Sequence, residues 1–70
     1  MTCVGAACDA VEIVWDEAAC AYRILNRSVR LVRVVLYTLS GAISLRIEPH
    51  GAADLHTGQF ELPYEATFID

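Results

Sequence analysis

The segment from Leu31 to Glu48 constrains the fold more than any other part of the chain. It contains two apolar, β-branched runs, LVRVVLYTL and AISLRIE, separated by Ser40 and Gly41. Two small residues, one of them a glycine that tolerates positive φ, are typical of the loop of a tight β-hairpin. We therefore predict a hairpin in which Ser40 and Gly41 form the loop.

This hairpin has one face that is apolar on both strands. The predicted cross-strand pairs include Val34 with Ile47, Leu36 with Leu45 and, on the opposite face, Arg33 with Glu48. The last pair joins opposite charges and would stabilise the sheet. A register slip of one residue would set apolar positions against polar ones, so the pattern determines which side chains face the core.

Runs on either side of the hairpin predict further strands. Apolar and polar residues alternate over residues 11–16 and again over residues 60–69, where Pro63 interrupts the run. Because proline donates no backbone hydrogen bond, this last strand is expected at a sheet edge or with a bulge. We expect an all-β fold, a small antiparallel sandwich or half-open barrel of five to six strands. It occupies residues 11–70 as a single domain, after a loosely ordered lead-in over residues 1–10.

Residues 17–27 are compatible with either a strand or a helix. As a helix, this segment would have Asp16 as its N-cap, with an apolar stripe along one side. The stripe consists of Ala18, Ala21, Tyr22 and Leu25. The helical spacing continues through residue 39, but the density of valines beyond Ser28 and the hairpin register argue against that longer helix. We prefer the strand for residues 17–27. An α+β fold with one helix at about 17–27 is the alternative.

The order of turns and strands in the middle of the chain resembles a known β domain. Asn26-Arg27-Ser28 is followed by an apolar strand, a glycine turn and a strand that ends in Pro49-His50-Gly51. This order is similar to that in the β domain of the von Hippel–Lindau protein. The resemblance implies a Greek-key sandwich and carries no functional expectation.

Composition excludes several classes of protein. An apolar fraction of 56% argues against disorder, and arginines interrupt the longest apolar run, so no segment is expected to span a membrane. The N-terminus lacks the basic segment and the apolar run of a signal peptide, which favours a cytoplasmic protein. We therefore expect Cys3, Cys8 and Cys20 to be free thiols.

Neither a metal site nor an active site has strong support. The candidate zinc ligands are Cys3, Cys8, His50 and His56. Their spacings lie at the loose limit of structural zinc sites. No nucleophile motif surrounds Cys20, and a domain of this size has little room for a substrate pocket. We expect no metal, no cofactor and no enzymatic activity.

Charge is segregated along the chain. Nine acidic residues and five arginines give a net charge of −4, and no acid lies between Glu17 and Glu48. The arginines at positions 23, 27, 30 and 33 could bind phosphates, with Tyr22 and Tyr37 stacking on bases. Nucleic-acid-binding domains are usually basic, however, so we expect these arginines to pair with the flanking acids and no direct nucleic-acid contact.

Acidic residues are the stronger functional candidates. The outward positions of the first and last predicted strands are Glu12, Asp16, Glu61 and Glu65. Residues four apart on a strand are separated by about 13 Å. If the two terminal strands are adjacent, these four carboxylates form one acidic patch, beside which Tyr37 would supply apolar contact area.

A small acidic domain without visible catalytic chemistry is most simply a protein-binding module. We expect an inhibitor that blocks a basic, nucleic-acid-handling partner as a DNA mimic, with the size and charge of anti-CRISPR-type inhibitors. The chain is expected to be a monomer or a weak homodimer. The alternative is a structural or accessory sandwich that binds a larger assembly through an apolar face.

Overall fold

Two β-sheets form the framework of the molecule. The computed structural model describes residues 3–56 and 60–69. Within these residues the elements are β1 (Cys3–Val4), a 3₁₀ helix (Cys8–Ala10), β2 (Val11–Asp16), β3 (Ala21–Asn26), β4 (Val32–Thr38), β5 (Gly41–Ile47), β6 (Ala52–Leu55) and β7 (Glu61–Phe68). One sheet has the strand order β1-β7-β4-β5 and the other β2-β3-β6. The predicted all-β sandwich is confirmed, with one or two strands more than expected.

Strand β4 is central to the larger sheet because its alternate residues are apolar. Val32, Val34 and Leu36 are fully buried, and they pack against Ile24 of the smaller sheet in one core cluster. β5 and β7 pair with the two edges of β4. The residues between the buried ones, Arg33 and Tyr37 among them, therefore lie on the outer face of the sheet.

The β4–β5 hairpin has the predicted faces but a different register. Thr38 pairs with Gly41, so the loop consists of Leu39 and Ser40, and the predicted loop of Ser40 and Gly41 is wrong. The Thr38 hydroxyl donates to the Gly41 carbonyl at 2.9 Å and accepts from the Ser40 N–H at 3.2 Å, which closes the turn. Gly41 follows the loop at φ +122°, a conformation that suits glycine.

The new register changes every predicted cross-strand pair. Val34 pairs with Leu45, Leu36 pairs with Ile43, and Arg33 pairs with Arg46. The displacement of two residues is an even number, so the same side chains still face the core. The predicted opposite-charge pair of Arg33 and Glu48 is replaced by two like charges.

Residues 17–27 form a turn and a strand, and the helical alternative is wrong. Asp16 acts as a cap, but of a turn: its Oδ1 accepts the backbone N–H groups of Ala18 at 3.0 Å and Ala19 at 3.3 Å. Cys20 then takes φ +51° and leads into β3, which pairs with β2 over its whole length. The part of the chain that the structure describes contains no helix with the length and hydrophobicity needed to cross a bilayer.

Residues 3–10, predicted to be loosely ordered, are integrated into the fold. β1 lies parallel to β7, and the fully buried Ala7 donates its N–H to the Ala66 carbonyl at 3.0 Å. Gly5 adopts φ +117°, and a Cβ at this position would collide with the same Ala66 carbonyl oxygen. The close approach of backbone to β7 therefore requires glycine here.

Cys3 and Cys8 form a disulfide, with their Cα atoms 5.8 Å apart, so the prediction of free thiols is wrong for this pair. Two of the four ligands in the zinc hypothesis are therefore bonded to each other. Cys20 has a free thiol, as predicted, and is exposed.

Asn26, the last residue of β3, is a buried polar residue that joins the two sheets. The residue is 2% exposed, and both polar atoms of its side chain form hydrogen bonds. The Nδ2 group donates to the carbonyls of Arg30 at 2.7 Å, Ile47 at 3.0 Å and Glu48 at 3.1 Å. The Oδ1 atom accepts from the N–H of Ser28 at 2.9 Å and from its hydroxyl at 2.7 Å. Because Ile47 ends β5, this one amide connects a strand of each sheet.

We expect Asn26→Ala to lower the free energy of unfolding by about 2–4 kcal/mol, because three backbone carbonyls lose their donor in a largely buried site. Urea denaturation followed by Trp15 fluorescence measures the change. Ser44→Ala, at an exposed outer-face position, is the control and should change stability by less than about 0.5 kcal/mol. A loss below about 1 kcal/mol for Asn26→Ala would contradict the assigned role.

Reduction of the Cys3–Cys8 disulfide should lower the free energy of unfolding by about 2 kcal/mol, the chain-entropy estimate for a loop with a sequence separation of 5. Urea denaturation with and without dithiothreitol, in a Cys20→Ser background that prevents thiol exchange, measures the difference. The double variant Cys3→Ala/Cys8→Ala should show no response to the reductant. Equal stability of the oxidised and reduced protein would count against a stabilising bond.

Candidate functional site

A groove on the outer face of the four-stranded sheet brings together three of the five predicted binding residues. The groove has a volume of about 320 Å³ and is lined by Val4, Tyr37, Glu61, Pro63 and Glu65. Tyr37, Glu61 and Glu65 belong to the predicted set. Val4 and Pro63 were not in that set. Val4 was missed because β1 has only two residues and therefore no recognisable sequence pattern.

Strand pairing places the groove residues next to one another. Tyr37 of β4 pairs with Glu61 of β7, and Val35 pairs with Glu65. On the other side of β7, Val4 of β1 pairs with Glu65. Three neighbouring strands therefore contribute side chains to one surface, with β7 in the middle.

A bulge in β7 shapes the centre of the groove. Between the Tyr37–Glu61 and Val35–Glu65 pairs the register shifts, and residues 62–64 of β7 lie opposite the single residue 36 of β4. Pro63 lies within this bulge, where a missing N–H donor disrupts no regular ladder. The bulge predicted from Pro63 is confirmed.

The groove combines exposed apolar surface with unpaired negative charge. Val4 is 53% exposed and Tyr37 is 39% exposed, which is high for large apolar side chains. Neither Glu61 nor Glu65 forms an ion pair with any described residue. The carboxylates of Glu61 and Glu65 lie beside the apolar side chains of the groove. This combination can attract and bind a cationic, partly apolar group.

The apolar surface continues beyond Glu61 toward the hairpin turn. A smaller hollow of about 160 Å³ is lined by Thr38, Leu39, Phe60 and Glu61. Leu39, at the tip of the β4–β5 turn, is 90% exposed. Glu61 therefore has apolar contact area on both sides.

Glu12 and Asp16 do not join this groove. Both lie on β2, in the three-stranded sheet, whereas Glu61 and Glu65 lie on β7 in the other sheet. The Glu12 carboxylate is 3.1 Å from the Arg27 guanidinium, and the Asp16 carboxylate caps the turn that follows β2. The single patch of four carboxylates is not formed, because the first and last long strands belong to different sheets.

Three of the arginines have identifiable contacts. The Arg23 Nε lies 3.2 Å from the Asp54 carboxylate, and Arg27 pairs with Glu12. The Arg30 guanidinium lies 4.1 Å from the centre of the Phe68 ring. The predicted pairing of arginines with flanking acids is confirmed for Arg23 and Arg27.

A hollow of about 380 Å³ lies at the opposite end of β3 from the Trp15 side and is lined by Leu25, Asn26, Arg27, His50 and Gly51. Two of its three polar side chains are already engaged, since the Asn26 amide is hydrogen-bonded through both its Nδ2 and Oδ1 atoms and Arg27 pairs with Glu12. In the groove at Tyr37, Glu61 and Glu65 have no ion-pair partner among the described residues, so this groove is the stronger candidate site.

A series of edge-to-face aromatic contacts leads from the surface into the core. The ring centroids of Trp15 and Tyr22 are 4.9 Å apart, those of Tyr22 and Phe60 5.1 Å, and those of Phe60 and Tyr64 6.3 Å. Trp15, at the outer end of this series, is 48% exposed. Tyr64, at the inner end, is 2% exposed, and burial raises the pKa of its hydroxyl above the ordinary value of 10.0.

Tyr64 should make the fold sensitive to alkali. Its hydroxyl ionises near pH 10 in the unfolded chain and at higher pH in the folded one, so its contribution to stability is present below pH 10 and lost as pH rises through the folded pKa. Above pH 10, we expect the free energy of unfolding to fall less steeply with pH in Tyr64→Phe than in the wild type, as measured by urea denaturation. The exposed-position control, Tyr37→Phe, should keep the wild-type slope, and an unchanged slope in Tyr64→Phe would refute the assignment.

Comparison with known proteins finds no family model, no curated protein and no solved structure that matches this chain. The resemblance to the von Hippel–Lindau β domain therefore rests on the order of turns and strands alone.

Proposed function

We propose that this chain is a non-enzymatic protein-binding module that engages a basic partner through the groove between β1, β7 and β4. The observation that carries the proposal is the pairing of two carboxylates that have no ion partner among the described residues, Glu61 and Glu65, with the exposed Tyr37 and Val4. Charged rim groups steer and orient a partner, and apolar groups at the centre supply contact energy.

The chemistry of the groove selects for a lysine- or arginine-bearing segment. Tyr37 presents an aromatic ring to which a guanidinium or an aliphatic stem can bind, and the carboxylates of Glu61 and Glu65 can accept its hydrogen bonds. A phosphate or a nucleic acid would instead be repelled by the two carboxylates.

An inhibitor of a nucleic-acid-handling partner is the specific form of this proposal. Proteins that bind DNA or RNA present basic surfaces, and an acidic domain can occupy such a surface in place of phosphates, as DNA-mimic inhibitors of the anti-CRISPR type do. In this chain the acidic contribution comes from Glu61 and Glu65 without Glu12 and Asp16. A cytoplasmic location, expected from the N-terminal sequence, is disfavoured by the Cys3–Cys8 disulfide, because disulfides are rare in reducing compartments.

The alternative is an accessory sandwich that binds a larger assembly through its apolar surface. The exposed side chains of Val4, Tyr37 and Leu39 favour it. The two functions differ in their response to salt, because screening weakens the carboxylate contacts and leaves apolar burial intact.

The double charge reversal Glu61→Lys/Glu65→Lys should weaken capture of a basic nucleic-acid-binding partner by tenfold or more at about 0.1 M salt. Affinity pull-down from bacterial lysate, followed by mass spectrometry and titration of the recovered partner, measures the loss. The matched control is Asp9→Lys/Glu17→Lys, which changes the net charge equally at exposed positions outside the groove and should retain binding. Equal loss in both double variants would point to net charge, and no loss in either would exclude the groove.

Salt and Tyr37→Ala together separate the two functions. For the inhibitor, raising salt from about 0.1 M to 1 M shortens the Debye length from about 10 Å to 3 Å and should release the partner. For an accessory subunit, the partner should stay bound at 1 M salt and be lost from Tyr37→Ala. Titration calorimetry or surface plasmon resonance with the purified protein and its partner measures the affinity at each salt concentration and for Tyr37→Ala.

A further inference from the structure

Arg33 and Arg46 stand apart from the other arginines of the chain. Arg23 contacts Asp54, Arg27 contacts Glu12, and Arg30 contacts the Phe68 ring. Arg33 and Arg46 have no ion pair with any described residue and are instead direct cross-strand partners on β4 and β5. Both are exposed on the outer face of the four-stranded sheet.

This arrangement is unfavourable for the fold alone. Directly opposed residues have Cβ atoms roughly 4.5–5.5 Å apart, and like charges at that separation destabilise a sheet. An opposite-charge pair would stabilise the same position. A ligand that carries negative charge reverses the sign of the interaction, because both guanidinium groups can then donate to it.

The side chains around the two arginines favour a small anion. One neighbour adds a hydroxyl group, and another adds a carboxylate that repels a larger anion. Thr67 of β7 pairs with Arg33 across the other edge of β4 and adds a hydroxyl to the same row. Val35 and its partners Ser44 and Glu65 form the next row along the strands. The Glu65 carboxylate, diagonal to Arg33, disfavours a long polyanion that would extend into the groove.

We propose that Arg33 and Arg46 form a binding site for a single phosphate group. Each guanidinium offers a planar fork of N–H donors that matches two oxygens of a phosphate. A tetrahedral oxyanion has enough oxygens to take both forks, whereas a carboxylate satisfies one fork with its two oxygens. The charge of a phosphomonoester, close to −2 at neutral pH, also balances the two arginines. The site is separate from the carboxylate groove and does not depend on its proposed function.

Thermal unfolding in inorganic phosphate, compared with chloride at matched ionic strength and pH, tests this site. At a free phosphate concentration roughly five times the dissociation constant, the folding equilibrium constant should rise about sixfold. For a domain of this size that corresponds to a rise in midpoint of roughly 4–8 °C. The rise should disappear in Arg46→Gln and in Arg33→Gln. Both variants should be at least as stable as the wild type in chloride, because the repulsion is removed.

Arg27→Gln is the matched control, since it removes an exposed arginine that pairs with Glu12 on the other sheet, and it should keep the phosphate response. A rise of equal size in the wild type and in both Arg→Gln variants at the site would show a general salt effect and overturn the proposal. No rise in the wild type would overturn it directly.

A short single-stranded DNA oligonucleotide is the second probe. Protection by DNA without protection by inorganic phosphate would assign the arginines to nucleic acid and exclude the phosphomonoester site.

Discussion

The Asn26 side chain is the contact on which the arrangement of the two sheets depends. Its amide donates to carbonyls at the end of β5 and in the connection before β4, and its own backbone N–H donates to Gly51 at 2.9 Å. A buried amide is costly unless all its polar atoms are satisfied, and here they are. The two layers are thereby held at one end in a single relative position, while apolar packing between them is less directional.

Both proposed binding sites lie on the outer face of the four-stranded sheet, because the inner face packs into the core. Along β4 the outward residues run from Arg33 through Val35 to Tyr37, and the neighbouring strands place Arg46 beside the first and Glu61 beside the last. One sheet face thus carries a basic end and an acidic end about two strand rows apart. With this segregation of charge, the cationic partner proposed for the groove and the phosphate proposed for the arginines would not compete for one position.

Local sequence pattern predicted the strands and their faces because period-two alternation depends on residues close in the chain. The alternation in LVRVVLYTL correctly identifies Val34 and Leu36 as core residues, and Pro63 correctly identifies a bulge. The pattern failed at the hairpin loop, where the Thr38 hydroxyl closes the turn one residue earlier than the glycine suggests. It also failed at Cys3 and Val4, since two residues are too few to show any periodicity. Of the candidate site, Tyr37, Glu61 and Glu65 were accessible to this approach, and Val4 was not.

The sequence by itself determined that the fold is all-β, which face of β4 and β5 is apolar, and that acidic and basic residues are separated along the chain, because these properties follow from hydrophobicity and from neighbouring positions. Only the tertiary structure decided which separated residues meet. The assignment of β2 and β7 to different sheets divided the four expected carboxylates into two unrelated pairs. A shift of two residues in one hairpin replaced an expected salt bridge with the opposed Arg33 and Arg46. Both outcomes depend on long-range pairing and on one hydroxyl–backbone contact, which alternation along a single strand does not encode.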